Sequence, residues 1–391
     1  MTSEPGTQPP PPSAVDGLPP FVRVVALLVL LFLFLVGVNA LGSGFELMGE
    51  DLLSSFFAAT DNPFIGLMIG ILATTLVQSS SVTTASIVGF VAAPLNPLPV
   101  ANAIPMIMGA NIGTTVTNTV ASLAHINRKE EFRRAFAVAT CHDFFNYLAV
   151  LILLPLELAT GFLQKSATAL TGALGDLSGA DYDSPIKGAI SAATRPLEVM
   201  AESLGPTNQW AALILVLIAG TLIFVSLMSI VSLMRSAMKT RVEALVTLAL
   251  GKTPLIAIAV GIVATVMVQS SSITTSLLVP LAGAGVLTLQ QAFPVTLGAN
   301  IGTTVTALLA ALAATGEHAA AGLTIALVHL LFNLSGTLLI YPWEPLRDVP
   351  LRLARWLADL AVRSRVLAVA YVVILFYLVP AAFAVLNRVL G

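Results

Sequence analysis

Charge is what this sequence has least of. Of 391 residues only 10% are Asp, Glu, Lys or Arg, while 57% are hydrophobic; a soluble domain carries roughly 25% charged residues. That balance excludes an ordinary soluble chain. Lysine and arginine are missing altogether from Val24 to Asn127 and from Thr253 to Leu346. Cysteine is nearly absent too. Cys141 stands alone, which excludes an internal disulfide and any cysteine-rich metal site. No nucleophile–base arrangement and no phosphate-cradling Walker loop occurs, so an enzymatic or ATP-driven reading has no support. No resident cofactor and no nucleic-acid partner is expected. The formal charge of −2 carries little about partners, because the placement of charges along the chain holds the information.

What is there is apolar and long. Phe21–Leu41, Ala211–Met234 and Val366–Leu386 are each about 20 residues, enough to cross a bilayer as a helix. The expected fold is all-α: a polytopic membrane protein whose partner is the lipid bilayer. Residues 1–20 hold seven prolines without apolar periodicity and read as a disordered tail. The apolar run that follows is too long for a signal-peptide core and reads as a retained first span, within a segment 21–62.

The chain also repeats itself. QSSSVTT at Gln78–Thr84 returns as QSSSITT at Gln269–Thr275, and GANIGTTVT at Gly109–Thr117 returns unchanged at Gly298–Thr306. HDFFN at His142–Asn146 answers HLLFN at His329–Asn333, and Pro155-x-Glu157 answers Pro342-x-Glu344. Four blocks in one order define two repeats, 63–157 and 254–344. Basic residues prefer the cytoplasmic side, and they alternate between the copies. Arg128, Lys129, Arg133 and Arg134 follow the first GANIGTTVT, whereas the matching loop 313–322 has none. After the repeats the pattern reverses: 158–207 is poor in basic residues, and 345–365 carries Arg347, Arg352, Arg355, Arg363 and Arg365. The halves are expected to be oppositely inserted, as in secondary transporters. On that reading the tail, the end of the linking segment 208–253 and the segment 345–365 are cytoplasmic. Segment 158–207 is then an external loop, and the last span 366–391 ends outside.

The repeated blocks place neutral hydrogen-bonding groups in apolar surroundings. Three consecutive serines fan over roughly 200° on a helix and cannot converge on one point. A broken helix or re-entrant hairpin at QSSS resolves this, and unwound backbone at membrane depth is tolerated where it lines a cavity. Gly113 and Gly302 are expected to permit a similar break. Half-helix N-termini suit an oxyanion, and half-helix C-termini with hydroxyl oxygens suit a small hard cation. Isolated hydroxyls such as Ser226 or Thr221 read as helix-packing groups. His142 and His329 read as inter-helix hydrogen-bonding groups, Asp143 (Leu330 in the other copy) as structural, Glu157 and Glu344 as interfacial, and Cys141 as packing.

These residues resemble a known family, the type II sodium–phosphate cotransporters, bacterial and vertebrate. The likeness rests on the paired QSSS blocks, on Ile104–Thr119, Phe132–Asn146, Leu153–Glu157 and Thr296–Ala313. It implies sodium-driven uptake of inorganic phosphate across the cell membrane by alternating access. The short, cysteine-free segment 158–207 departs from the long disulfide-bearing loop of vertebrate members and points to a bacterial one. Where electrogenic members place an aspartate before the FRRAF stretch, this chain has Asn127 and Arg128, which leaves the number of sodium ions per phosphate open. On the resemblance, Gln78, Ser79, Ser80, Ser81, Gln269, Ser270, Ser271 and Ser272 form the phosphate cavity. Thr83, Asn111, Thr114, Thr115, Thr274, Asn300, Thr303 and Thr304 are the sodium-ligand candidates. The sequence does not separate these two roles residue by residue. A sodium-coupled carboxylate carrier, a passive ion channel and a non-transporting phosphate sensor are the alternatives.

Overall fold

A computed structural model of the chain describes residues 19–48, 60–93, 97–178, 185–249, 252–314 and 318–390. The proline-rich tail, read above as disordered, lies outside the described residues except at its last two positions. Every regular element among the described residues is a helix. Six helices among the described residues are long and apolar enough to cross a membrane, and they include the three apolar runs read from the sequence.

The first span, α1 (Pro20–Met48), packs along α9 (Asn208–Ala249). Between them come α2 (Pro63–Val77), α3 (Ser80–Val91), α4 (Val100–Thr114), the short α5 (Val116–Ser122) and the long α6 (Lys129–Thr160). The second copy follows as α10 (Pro254–Val268), α11 (Ser271–Gly283), α12 (Leu289–Ala313) and α13 (Ala319–Ile340). At about 1.5 Å per residue, α2, α3, α10 and α11 are each too short for a bilayer core of roughly 30 Å. Each pair, of 15 residues and then 12 or 13, instead turns back at its break: Asn102 bonds Asp61 just before α2 and the Leu98 N–H bonds the Phe90 carbonyl at the end of α3, so both ends of that pair lie at the start of α4.

Glycine decides how each interrupted helix meets its neighbour. Helix α2 lies against α4 so closely that a Cβ at Gly70 would overlap the Met106 carbonyl, and one at Gly109 the Leu67 carbonyl. Helix α10 meets α12 in the same way, through Gly261 on Val295 and Gly298 on Ile258. Small residues at such spacing let helix backbones touch inside a membrane, where apolar burial gives helices little reason to associate. Gly113 and Gly302 belong to the same seams: a Cβ there would sit 2.7 Å from Thr74 Cβ and 2.8 Å from Thr265 Cβ, respectively. This corrects their reading as break points. Helix α12 runs unbroken through Gly302, and Thr115, which separates α4 from α5, keeps helical angles at φ −75° and ψ −21°. The glycines serve close approach rather than unwinding.

The segments read as loops are also helical. Residues 158–207 contain α7 (Phe162–Ser178) and α8 (Pro185–Leu204). Leu163 and Ala167 are buried where α7 packs on α13, and Ile190 and Ala201 where α8 packs on α1 and α9. Gly161, left-handed at φ +65°, ends α6, and Glu157 then accepts from the Leu163 and Gln164 N–H groups at 2.5 and 3.2 Å. Glu157 is therefore a buried cap for the next helix rather than an interfacial group, while its counterpart Glu344 is 82% exposed and pairs with Arg347. The basic segment is α14 (Glu344–Arg363), whose face of Leu351, Ala354, Leu357, Ala358 and Ala361 packs on α6. The last span runs through α15 (Arg365–Val373), a π-helical turn at 374–378, and α16 (Val379–Leu390).

Candidate functional site

Both QSSS blocks break their helix at the same residue and in the same way. Gln78 closes α2 in the left-handed region at φ +56°, Ser79 is extended at φ −151°, and α3 begins at Ser80. Gln269 repeats this at φ +53°, with Ser270 at φ −155° and α11 beginning at Ser271. Among the described residues no other non-glycine residue has a positive φ. A helix commonly ends on a left-handed glycine; a glutamine there accepts strain of roughly 1–3 kcal/mol. Ser79 Oγ accepts from Val82 N–H and Ser270 Oγ from Ile273 N–H, each at 3.4 Å, capping the second half-helices. The N–H groups of residues 79–81 and 270–272 have no partner within their own helices.

These two ends converge. Gln78, Ser79, Ser80, Ser81, Gln269, Ser270, Ser271 and Ser272 all line one cavity of about 180 Å³, closed on the apolar side by Met228, Val231 and Ile273. Pockets for drug-sized ligands begin near ~300 Å³, so this one fits a small ligand. No charged side chain lines it. The glutamines are held in matching ways. Gln78 Nε2 donates to the Thr75 carbonyl at 2.5 Å and Gln269 Nε2 to the Val266 carbonyl at 2.8 Å. Their Oε1 atoms accept from Thr117 at 3.1 Å and Thr306 at 3.2 Å. Tyr377, in the π turn of the last span, adds a contact at 3.4 Å to Gln78 Nε2 and donates to the Thr75 carbonyl at 3.3 Å.

The sodium-ligand candidates stand behind this cavity rather than in its wall. Thr83 and Thr274 donate to the Ser79 and Ser270 carbonyls at 3.2 and 3.4 Å, at the breaks themselves. Thr115, Thr303 and Thr304 donate to carbonyls one turn back, at 2.8, 3.0 and 2.7 Å. A hydroxyl whose proton is used in this way has lone pairs left for a cation. Thr114 Oγ1 is buried with no protein partner. Asn111 and Asn300 pair crosswise between the halves. Asn333 donates to Asn111 Oδ1 at 3.2 Å, and Asn300 donates to Asn146 Oδ1 at 2.8 Å. His142 Nε2 lies 2.6 Å from Asn300 Oδ1. The sequence reading of His142 as an inter-helix hydrogen-bonding group thus holds, whereas neither ring nitrogen of buried His329 has a protein partner. Asp143 accepts from Tyr371 at 2.8 Å and Thr119 at 3.3 Å, tying α6 to the last span. Cys141 is buried in the core, as expected of a packing residue.

Residues absent from the sequence-based site include Thr117 and Thr306, which hold the glutamines, and Asn118, which donates to Thr275 at 2.7 Å across the halves. The signal for the threonines was present, since both close the repeated GANIGTTVT block. Asn146 and Asn333 were likewise visible as the last residues of the repeated HxxFN block. Nothing in the sequence marked Tyr377.

Among the described residues, six bilayer-length helices and two broken helix pairs whose capped ends meet at a small neutral cavity define a polytopic α-helical membrane protein. The model of the Na+/Pi-cotransporter family matches residues 33–175 and 208–343, more than half of the chain. The chain belongs to that family. It is 34% identical to sodium-dependent phosphate transport protein 2B of Homo sapiens over 445 residues, 92% of this chain and 64% of that protein. It is equally similar to the Pongo abelii protein of that name, with the same coverage. With sodium-dependent phosphate transport protein 2A of Rattus norvegicus it shares 36% identity over 427 residues, 92% of this chain and 67% of that protein. The chain thus spans about two-thirds of the length of these relatives. No solved structure matches it.

Proposed function

We propose that this chain carries inorganic phosphate into the cell together with sodium, by alternating access at the cavity between the two QSSS breaks. The observation that carries this is the convergence of two half-helix N-termini, with their serines, on a cavity without a basic side chain. Uncommitted N–H groups and hydroxyls donate to an oxyanion, and each helix end adds roughly 0.3–2 kcal/mol. Desolvating each charge of phosphate costs several kcal/mol. Neutral donors leave a deficit that a co-bound cation offsets, so sodium and phosphate raise each other's affinity by the same factor. In this scheme the cavity residues hold phosphate. The threonine hydroxyls at the breaks and in GANIGTT, with Asn111 and Asn300, supply oxygen ligands for sodium. The activities named for the relatives agree with this reading.

The opposite insertion of the halves is part of the proposal, and two contacts support it. Arg133, in the basic stretch of the first copy, bonds Asp359 of α14 at 2.5 Å, so both arginine-rich segments share one side. Thr171 of α7 meets Thr324, near the start of α13, at 2.9 Å, which brings together the two segments poor in basic residues.

Uptake of labelled phosphate into proteoliposomes tests the function. An inward sodium gradient should drive accumulation, and choline or potassium in its place should abolish it. Tight phosphate binding by calorimetry without sodium would overturn the coupling. Uptake of a dicarboxylate in preference to phosphate would overturn the substrate.

A further inference from the structure

Away from this cavity, the arginines that the repeat cores lack are gathered at one place. A second pocket of about 330 Å³ opens where the start of α6, the end of α11 and the face of α14 meet. Arg133, Arg134 and Arg355 line it, with Val138, Leu287 and Leu289 supplying apolar wall. Arg134 donates to the Ala282 and Gly283 carbonyls at 3.1 and 2.6 Å, capping α11. Arg133 holds Asp359. The other acids of α14 are also occupied, Glu344 by Arg347 and Asp348 by Arg352, each at 3.3 Å. Glu130, on the first turn of α6, acts on Arg133 as well; among the described residues no carboxylate pairs with Arg355, which stands exposed at the pocket. The pocket therefore carries a surplus of positive charge over an apolar floor.

Its depth is set by the helices around it. Helix α6 has 32 residues, about 48 Å, so its first turns reach beyond a hydrocarbon core of roughly 30 Å. Helix α14 turns one face of small and branched apolar residues to α6. Outward it carries arginines beside Trp343 and Trp356, which are 68% and 57% exposed. A basic amphipathic helix with exposed tryptophans belongs at the membrane–water interface.

We propose that this pocket binds the phosphoryl group of an anionic phospholipid, with Arg355 as its principal contact, Arg133 and Arg134 beside it, and the lipid's glycerol end on Val138, Leu287 and Leu289. The chemistry is that of any phosphoryl oxyanion. The apolar wall and the interfacial level favour the lipid-borne form over free phosphate, and basic pockets at this level of membrane proteins take such headgroups.

The test uses purified full-length protein in detergent, equilibrated with equal amounts of phosphatidylglycerol and phosphatidylcholine of matched chains, with retained lipid read by native mass spectrometry. The protein should retain the anionic lipid preferentially. Arg355→Gln should lower that preference about fivefold, the factor for one basic residue at an anionic surface. Arg352→Gln removes the same charge from the same helix outside the pocket and should leave it unchanged. An equal fall in both variants, or none in Arg355→Gln, overturns the site. Displacement of the lipid by millimolar inorganic phosphate would assign the pocket to free phosphate and overturn the lipid proposal.

Discussion

The left-handed glutamines make a test that separates folding from function. Replacing both Gln78 and Gln269 with glycine removes roughly 1–3 kcal/mol of backbone strain at each site. It also removes two side-chain hydrogen bonds per glutamine, to Thr75 and Thr117 in one copy and to Val266 and Thr306 in the other, together with the longer contact of Gln78 to Tyr377 at 3.4 Å. Each is worth about 0.5–1.5 kcal/mol net, so the two effects nearly cancel and the double variant should purify normally and melt within a few degrees of the parent. Alanine is the informative comparator. It loses the same hydrogen bonds but keeps the left-handed strain, so the alanine double variant should be less stable than the glycine one by about 1–2 kcal/mol per site. Transport should fail in both. A hydrogen bond to a charged ligand contributes about 1.5–3 kcal/mol, which corresponds to a loss of roughly 10- to 150-fold per carboxamide in phosphate kcat/KM. Proteoliposome uptake and thermal melting, measured on the same preparations, read both quantities. Uptake undiminished in the glycine double variant would reduce the glutamines to helix caps. An alanine variant more stable than the glycine one would refute the strain argument.

Other perturbations follow from the same geometry. Ser80→Ala and Ser271→Ala remove hydroxyls from the cavity wall without opening a packing defect; both should purify normally and take up phosphate poorly, and unimpaired uptake in both would make these serines packing groups. Gly109→Ala and Gly298→Ala push a methyl group into the Leu67 and Ile258 carbonyls and should lower the melting temperature by several degrees. Gly220→Ala, where nothing lies within 4 Å, should be neutral or stabilising by up to about 1 kcal/mol. In a Cys141→Ser background, Arg352→Cys should resist an impermeant thiol reagent in intact cells and react in inverted vesicles; labelling from outside would overturn the opposite insertion of the halves.

Much of the site was legible because duplication acts as an internal comparison. A residue type at one position says little, but Gln-Ser-Ser-Ser written twice in apolar surroundings says that neutral polar groups are needed there. The helix break could be placed because three adjacent serines cannot share a helix face, and the structure puts it inside the QSSS block, at Gln78–Ser79 and Gln269–Ser270. Gly113 and Gly302 were misread for a physical reason. Glycine relieves both backbone strain and steric crowding, and a sequence does not tell which is required. Here their φ angles are negative and the neighbouring helix backbone supplies the constraint. The helices in 158–207 escaped notice because composition there is mixed: Lys165, Lys187, Arg195, Glu198 and Glu202 interrupt the apolar residues, so no run is long enough to stand out.

The asparagines show how duplication and mechanism meet. Each GANIGTT asparagine bonds the HxxFN asparagine of the other copy, Asn111 with Asn333 and Asn300 with Asn146, so neither half completes its polar core alone. Buried amides left unpaired would each cost about 1–3 kcal/mol; the crosswise pairing spares Asn111 Oδ1 and Asn300 Nδ2 that cost only while the halves stay in register, and Asn333 Oδ1 has no protein partner even then. A motion that exposes the cavity to one side and then the other must either carry these pairs as one body or exchange them. The QSSS breaks are differently placed: their caps bond within their own copy, Ser79 to Val82 and Ser270 to Ile273, and one pair, Asn118 of α5 with Thr275 of α11, crosses between the copies beside them. The asparagine pairs therefore suit a fixed joint between the halves, and a separation at the cavity formed by the two breaks requires Asn118 to release Thr275.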